Sequence, residues 1–295
     1  MSGLAGAAPA LFVVLWSTGF VMARYGTRDT GPFTFLAIRF GIAALALWVV
    51  AALTKAPAIS RTQLGWASVA AVGLHVLYLG GVFFAISRGL PSGLGALIAG
   101  LSPVVTSVFG RWLLNERLSR IQWMGVALGL VGVLAVVADR LQAHNGGVST
   151  AALVAMGIAV AGMAGGTLVQ RAQGSMMPLL RGTAMQYTTA ALILSVSATV
   201  HERWALRSTA QLWLTLAYGV VVLSIIAVLI MLALLQRQAA AQVSSLFFLT
   251  PALSTVEGAV LFGERLGTLA LAGLAIALLG VFLTTRTPQR GRNWR

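Results

Sequence analysis

The chain contains no cysteine in 295 residues. That excludes disulfides, thiolate metal sites and a cysteine nucleophile, and leaves the compartment open. Charge is scarce too. Only 9% of residues are charged, against about 25% in a soluble domain. No paired carboxylates occur, and the three histidines, His75, His144 and His201, stand far apart. An enzyme would need a nucleophile with its base, or a metal, so the expectation is no enzyme, no metal and no cofactor. The formal charge of +14 suggests nucleic acid at first sight. The basic residues, however, are scattered singly between apolar runs, with no basic stripe and no aromatic platform. They read as topology signals, and no nucleic-acid partner is expected. The first residues, MSGLAGAAPA, lack a basic n-region, and the apolar run from Leu11 to Met22 reads as part of a span, not of a cleaved signal peptide.

What is present is apolar: 58% of residues, with a mean hydropathy of +0.91. A spanning helix takes about 20 apolar residues. Stretches over 8–25, 33–53, 63–87, 91–114, 120–138, 149–171, 179–200, 209–235, 239–262 and 268–285 predict about ten transmembrane helices in one all-α membrane domain. Turn signals separate them, such as Arg28 to Pro32, Lys55-Ala56-Pro57 and His144 to Gly147. Pro91 suits the first turn of the fourth span. Ser119 with Gln122 forms a capping box for the fifth. With the N-terminus inside, twelve basic residues fall on inner segments and seven on outer ones, which predicts both termini in the cytoplasm. Four of the twelve lie in the C-terminal tail, so the loops alone show only a weak bias. Trp48, Trp66, Trp112, Trp123, Trp204 and Trp213 fall near span ends, where indoles favour the interface, whereas Trp16 falls near mid-span.

A repeat runs through the chain at an offset of 148. Residues 103–137 laid on 251–285 match at twelve positions of 35, among them Pro103 with Pro251, Glu116 with Glu264 and Gly132 with Gly280. Two units follow, 1–145 and 146–295. Five spans per unit is an odd number, so the second unit enters the membrane from the opposite side. Inverted repeats of this kind build secondary transporters, with the substrate site near the midplane between them. Two opposed halves also provide the two arrangements that alternating access requires.

At this point the chain resembles the EamA-type members of the drug/metabolite transporter superfamily. The resemblance is carried by the ten-span plan, Trp16-Ser17-Thr18-Gly19-Phe20, Leu101-Ser102-Pro103 with Leu249-Thr250-Pro251, and Asn115-Glu116-Arg117 with Gly263-Glu264-Arg265. It covers almost the whole chain and comes nearest to the aromatic amino-acid exporters. It implies a bacterial-type inner membrane and export over import. It does not fix the substrate, because members export amino acids, nucleosides, drugs and other metabolites. Ala164-Gly165-Gly166 of the second half departs from the tryptophan-containing motif of the first. A site built on Trp16 therefore need not be symmetric.

Polar and aromatic residues deep in a span are costly and point to function. His75 and Tyr78, at i and i+3, would share a helix face and bind a substrate amine, carboxylate or ring, or else bond to a neighbouring span. Trp16 would line a cavity or pack on a neighbour. Met163, Thr167 and Gln170 make one stripe, facing either a cavity or a packed helix. Ser244, Ser245 and Phe248 precede Pro251, where freed backbone could serve a substrate; Pro103 and Pro251 predict matching helix bends. Gly93, Gly95, Ala96 and Ala99 leave room for a cavity or for a close helix contact. Arg39 and Glu257 are charges inside spans. They would pair, or Arg39 would reach outward; Glu257, with His75 second, is the candidate carrier of a coupling proton. Glu116 and Glu264 read as loop-closing residues. Gly125, Gly129 and Gly132 with Gly273 and Gly280 predict close helix packing, within the chain or between protomers.

These features predict a transporter of small amphipathic metabolites, amino acids including aromatic ones. A multidrug, nucleoside or lipid exporter is the alternative. The oligomeric state and the coupling ion stay open.

Overall fold

A computed structural model of the chain describes residues 2–113, 119–142, 148–173, 177–230, 249–264 and 267–285. Ten helices run through them: α1 (Ser2–Gly26), α2 (Pro32–Leu53), α3 (Arg61–Ser87), α4 (Ser92–Ala99 and then Ser102–Leu113), α5 (Arg120–Gln142), α6 (Thr150–Gln173), α7 (Leu179–Ser197), α8 (Ala210–Ile230), α9 (Leu249–Phe262) and α10 (Thr268–Thr285). Among the described residues there is no strand, only an isolated antiparallel bridge between Thr30 and Leu206. By length and composition α2, α3, α4, α6 and α8 can each cross a membrane, and α5, α9 and α10 hold shorter apolar stretches. Large apolar side chains stand on the outside of the bundle, Leu53 at 78% and Val260 at 76% exposure, as a lipid-facing surface allows.

Helix starts follow local chemistry. Ser60 and Gln63 form a reciprocal capping box on α3, and Ser119 with Gln122 does the same on α5. Pro32 opens α2 at a position where its missing N–H costs nothing. The break in α4 at Gly100 and Leu101 is the work of Pro103, which has no N–H to give to the Ala99 carbonyl. The Ser102 hydroxyl takes its place on that oxygen at 2.5 Å. The Pro251 ring meets this break directly: a Cβ on Gly100 would lie 2.9 Å from its Cγ. The bend expected before Pro251 lies outside the described residues.

The repeat is visible in the backbone itself. The middle turns of α3, Val72–Leu79, widen to the i to i+5 bonding of a π-helix. Those of α8, Gly219–Ile226, do so as well, within one residue of the 148 offset. The main contacts between halves also come in exchanged pairs. α5 packs on α10, α2 on α7 and α4 on α9, while α3 on α6 is mirrored by α8 on α1. This is an all-α membrane fold of two inverted five-helix repeats.

Glycine sets the closest of these contacts. A Cβ on Gly280 would lie 2.7 Å from Gly129 Cα, and one on Gly132 would lie 2.8 Å from Ala277 Cα. The small-residue faces of α5 and α10 therefore serve packing within the chain. Gly73 of α3 lies against α6 in the same way, where a Cβ would meet Gly162 O at 2.6 Å. The buried core, including Phe35, Phe40, Phe83, Leu94 and Met156, runs through the bundle between α2, α3, α4, α6 and α7.

Candidate functional site

Midway along α2, α3, α7 and α8 the apolar core gives way to a polar and aromatic cluster. The π turn of α3 presents His75 to its neighbours. Its Nε2 is 3.2 Å from Gln186 Oε1 on α7, and its ring lies 5.1 Å from both Phe40 and Tyr187. Phe40 and Tyr187 are 5.0 Å apart, which closes a three-ring box. The Tyr187 hydroxyl donates to the Ser224 carbonyl at 3.3 Å. His75 Nδ1 is buried without a hydrogen-bond partner among the described residues. Tyr78 is buried in the same turn of α3. It shares no ring contact or hydrogen bond with His75, because the widened turn breaks the regular i, i+3 stacking of an α-helix.

Arg39, one residue before Phe40, is 5% exposed. Its Nε donates to the Gly219 carbonyl at 3.1 Å and to Ser224 Oγ at 3.0 Å. Both partners belong to the π turn of α8, where Ser224 Oγ also donates to the Gly219 carbonyl, at 3.0 Å. The Arg39 guanidinium lies 5.3 Å from the Phe40 ring. It neither meets Glu257 nor reaches outward. Glu257 accepts the Ser17 hydroxyl at 2.6 Å instead, and its second oxygen, Oε2, is buried and unpartnered among the described residues. The same side of α1 places Thr18 2.7 Å from the Tyr218 hydroxyl, and Ser254 of α9 donates to the Ser17 carbonyl at 2.9 Å. A second polar group thus joins α1, α8 and α9.

The other sequence candidates lie apart. Trp16 is partly exposed, with its ring 5.2 Å from Phe12. Met163 is partly buried against the core; Thr167 donates to its carbonyl at 2.7 Å, a bond within α6, and Gln170 is exposed. Ser244, Ser245 and Phe248 lie outside the described residues. Gly93 packs on α9, where a Cβ would sit 3.2 Å from Thr255 Cα, so the small run of α4 serves close contact there.

Three features escape a reading of the sequence. The α1–α2 and α7–α8 connections are fastened to each other. Thr30 Oγ1 donates to the Ala205 carbonyl at 2.9 Å, and Thr209 donates to Asp29 at 2.6 Å. Glu202 accepts the Phe33 N–H at 3.0 Å and the Thr34 N–H at 2.7 Å, capping α2 from the other half. Glu264 caps α4 through Ser92 N–H at 2.9 Å and Gly93 N–H at 3.1 Å, and it pairs with Arg24 of α1. The composition hints at such roles only through how few carboxylates there are.

The EamA-like transporter family model matches residues 4–138 and 149–286, once in each half. A probable amino-acid metabolite efflux pump of Escherichia coli is 27% identical, over 100% of this chain and 98% of its own length. The protein of the same name from Salmonella typhimurium is 26% identical, over 96% and 95%. An uncharacterized inner membrane transporter of Escherichia coli, YedA, is 25% identical, over 96% and 90%. A solved crystal structure superposes with a TM-score of 0.65 at 20% identity, covering 96% of each chain, which shows the shared fold.

Proposed function

We propose that this chain, which belongs to the EamA-like transporter family, is a secondary transporter that exports small amphipathic metabolites, amino acids including aromatic ones, by alternating access. The observation that carries the reading is the mid-depth cluster of His75, Gln186, Phe40, Tyr187 and Arg39, built where the inverted halves meet. Aromatic walls with a few fixed polar groups suit a zwitterion with an apolar tail. The amino-acid efflux names of two relatives support the same substrate class. The two units are 1–145 and 146–295. The site residues are His75, Tyr78 and Trp16 of the first, with Met163, Thr167, Ser244 and Phe248 of the second. Both termini face the cytoplasm of a bacterial-type inner membrane, and the fastened connections face outward. Those fastenings support a state loaded from the cytoplasmic side.

The test is uptake of radiolabelled aromatic and small amino acids by proteoliposomes, with and without a pH gradient. The His75→Ala, Tyr78→Ala double variant is measured beside the parent. The expected result is uptake by the parent and loss of at least about tenfold, or roughly 1.4 kcal/mol, in the variant. No uptake of any amino acid would overturn the substrate class.

One observation favours a second reading. Glu257 keeps a buried carboxylate oxygen with no hydrogen-bond partner among the described residues, as a site for a lipophilic cation would. An exporter of such cations would lose transport on Glu257→Gln, whereas retained transport removes that reading.

A further inference from the structure

Arg39 carries a charge that no carboxylate answers among the described residues. There are six Asp and Glu residues. Asp29 takes the Thr209 hydroxyl in the connections, Glu202 caps α2, Glu264 pairs with Arg24, and Glu257 takes the Ser17 hydroxyl. Asp139 belongs to α5, which packs on α10, not α2. Glu116 lies outside the described residues. A cation left unpaired in a low-dielectric interior costs several kcal/mol. A chain this poor in charge keeps one there nonetheless.

The guanidinium is also held in a particular way. One edge is fixed, with Nε bonded to Gly219 O and Ser224 Oγ. The two terminal nitrogens, Nη1 and Nη2, hydrogen-bond to nothing among the described residues. The residue as a whole keeps 5% of its surface exposed. A guanidinium clamped on one side presents a rigid fork on the other, and that fork matches a carboxylate in bidentate geometry. We propose that the Nη pair of Arg39 is an anion subsite that takes the carboxylate of the cargo, aimed by the π turn of α8. This rests on the reading of the chain as an exporter of zwitterions and says which end of the cargo goes where. A resident chloride offers the same chemistry, so the test must separate the two.

The measurement is ligand-dependent thermal unfolding of the purified full chain in sulfate buffer. L-phenylalanine is compared with L-phenylalaninamide, which lacks the carboxylate, on wild type, Arg39→Gln and Arg39→Lys. The acid should bind wild type about tenfold tighter than the amide. Arg39→Gln should lose that preference and Arg39→Lys should keep part of it. An amide that binds wild type as well as the acid does, or a preference that survives Arg39→Gln, overturns the proposal. Should Arg39→Gln not fold, the wild-type comparison decides alone. Stabilisation by added chloride that Arg39→Gln abolishes, with acid and amide equal, assigns the fork to a resident ion and overturns the cargo role. If no amino acid binds at all, the exporter reading fails, and acetate then reads the subsite by itself. Acetate should stabilise wild type and not Arg39→Gln, and acetate without effect on wild type overturns the subsite.

Discussion

At the scale of single residues, Asp29, Glu202 and Glu264 do structural work at helix ends. Glu202 satisfies two N–H groups at the start of α2, where the N-cap residue Gly31 has no side chain to cap them. Glu202→Gln removes the charge assistance, and Glu202→Ala removes the acceptors. We expect the alanine variant to cost about 1–2 kcal/mol, read as a lower melting temperature in detergent, with the glutamine variant in between. A melting curve unchanged by Glu202→Ala would mean that water or lipid headgroups replace the cap. Legibility differs sharply at this scale. The Ser119 and Gln122 box is legible because its two members are three residues apart and shape a helix start by themselves. The interior location of His75 and Arg39 is legible because polar groups in an apolar run are rare. Their partners are not, because Gln186, Gly219 and Ser224 stand more than a hundred positions away and pattern reading sees no such pairing.

At the scale of elements, glycine and the widened turns shape the bundle. The glycine faces of α5 and α10 are legible from spacing, and the structure resolves their ambiguity in favour of packing within the chain. Gly132→Leu should force these helices apart, since backbone atoms of α10 stand where its side chain would go. A cost of about 1–3 kcal/mol is expected, measured by thermal unfolding, with the monomer–oligomer balance unchanged. The π turns leave no such trace. Val72–Leu79 and Gly219–Ile226 read as ordinary apolar helix, because hydropathy does not register one residue too many in a turn. Deleting Val76 should return α3 to regular α-helix and keep the rest of the helix in register. The expected outcome is a folded protein, by circular dichroism and size-exclusion chromatography, with transport reduced at least about tenfold. Full transport after the deletion would strip the turn of any role at the site.

At the scale of the whole molecule, the inverted architecture follows from an offset of 148 and an odd count of spans, and so it was the most legible feature of all. The fastening of the two halves was not, because it is made of short polar contacts between connections that carry no repeat. The absence of cysteine makes that fastening accessible to experiment. Thr30→Cys with Leu206→Cys places a pair across the antiparallel bridge, on a background with no other thiol. Oxidation should lock the connections together and stop uptake in proteoliposomes, and reduction should restore it. Undiminished uptake by the oxidised pair would show that this face need not open for transport.

The cap on α2 also has a consequence in time. Phe33 and Thr34 receive their acceptors from a residue 168 or 169 positions later. At a synthesis rate of about 5–20 residues per second, the start of α2 waits roughly 10–30 s for Glu202 to leave the ribosome. During that interval the first half sits in the bilayer with its helix start open to water and headgroups. The nascent chain is thus completed backwards: the second half, on arrival, closes the ends that the first half left unfinished.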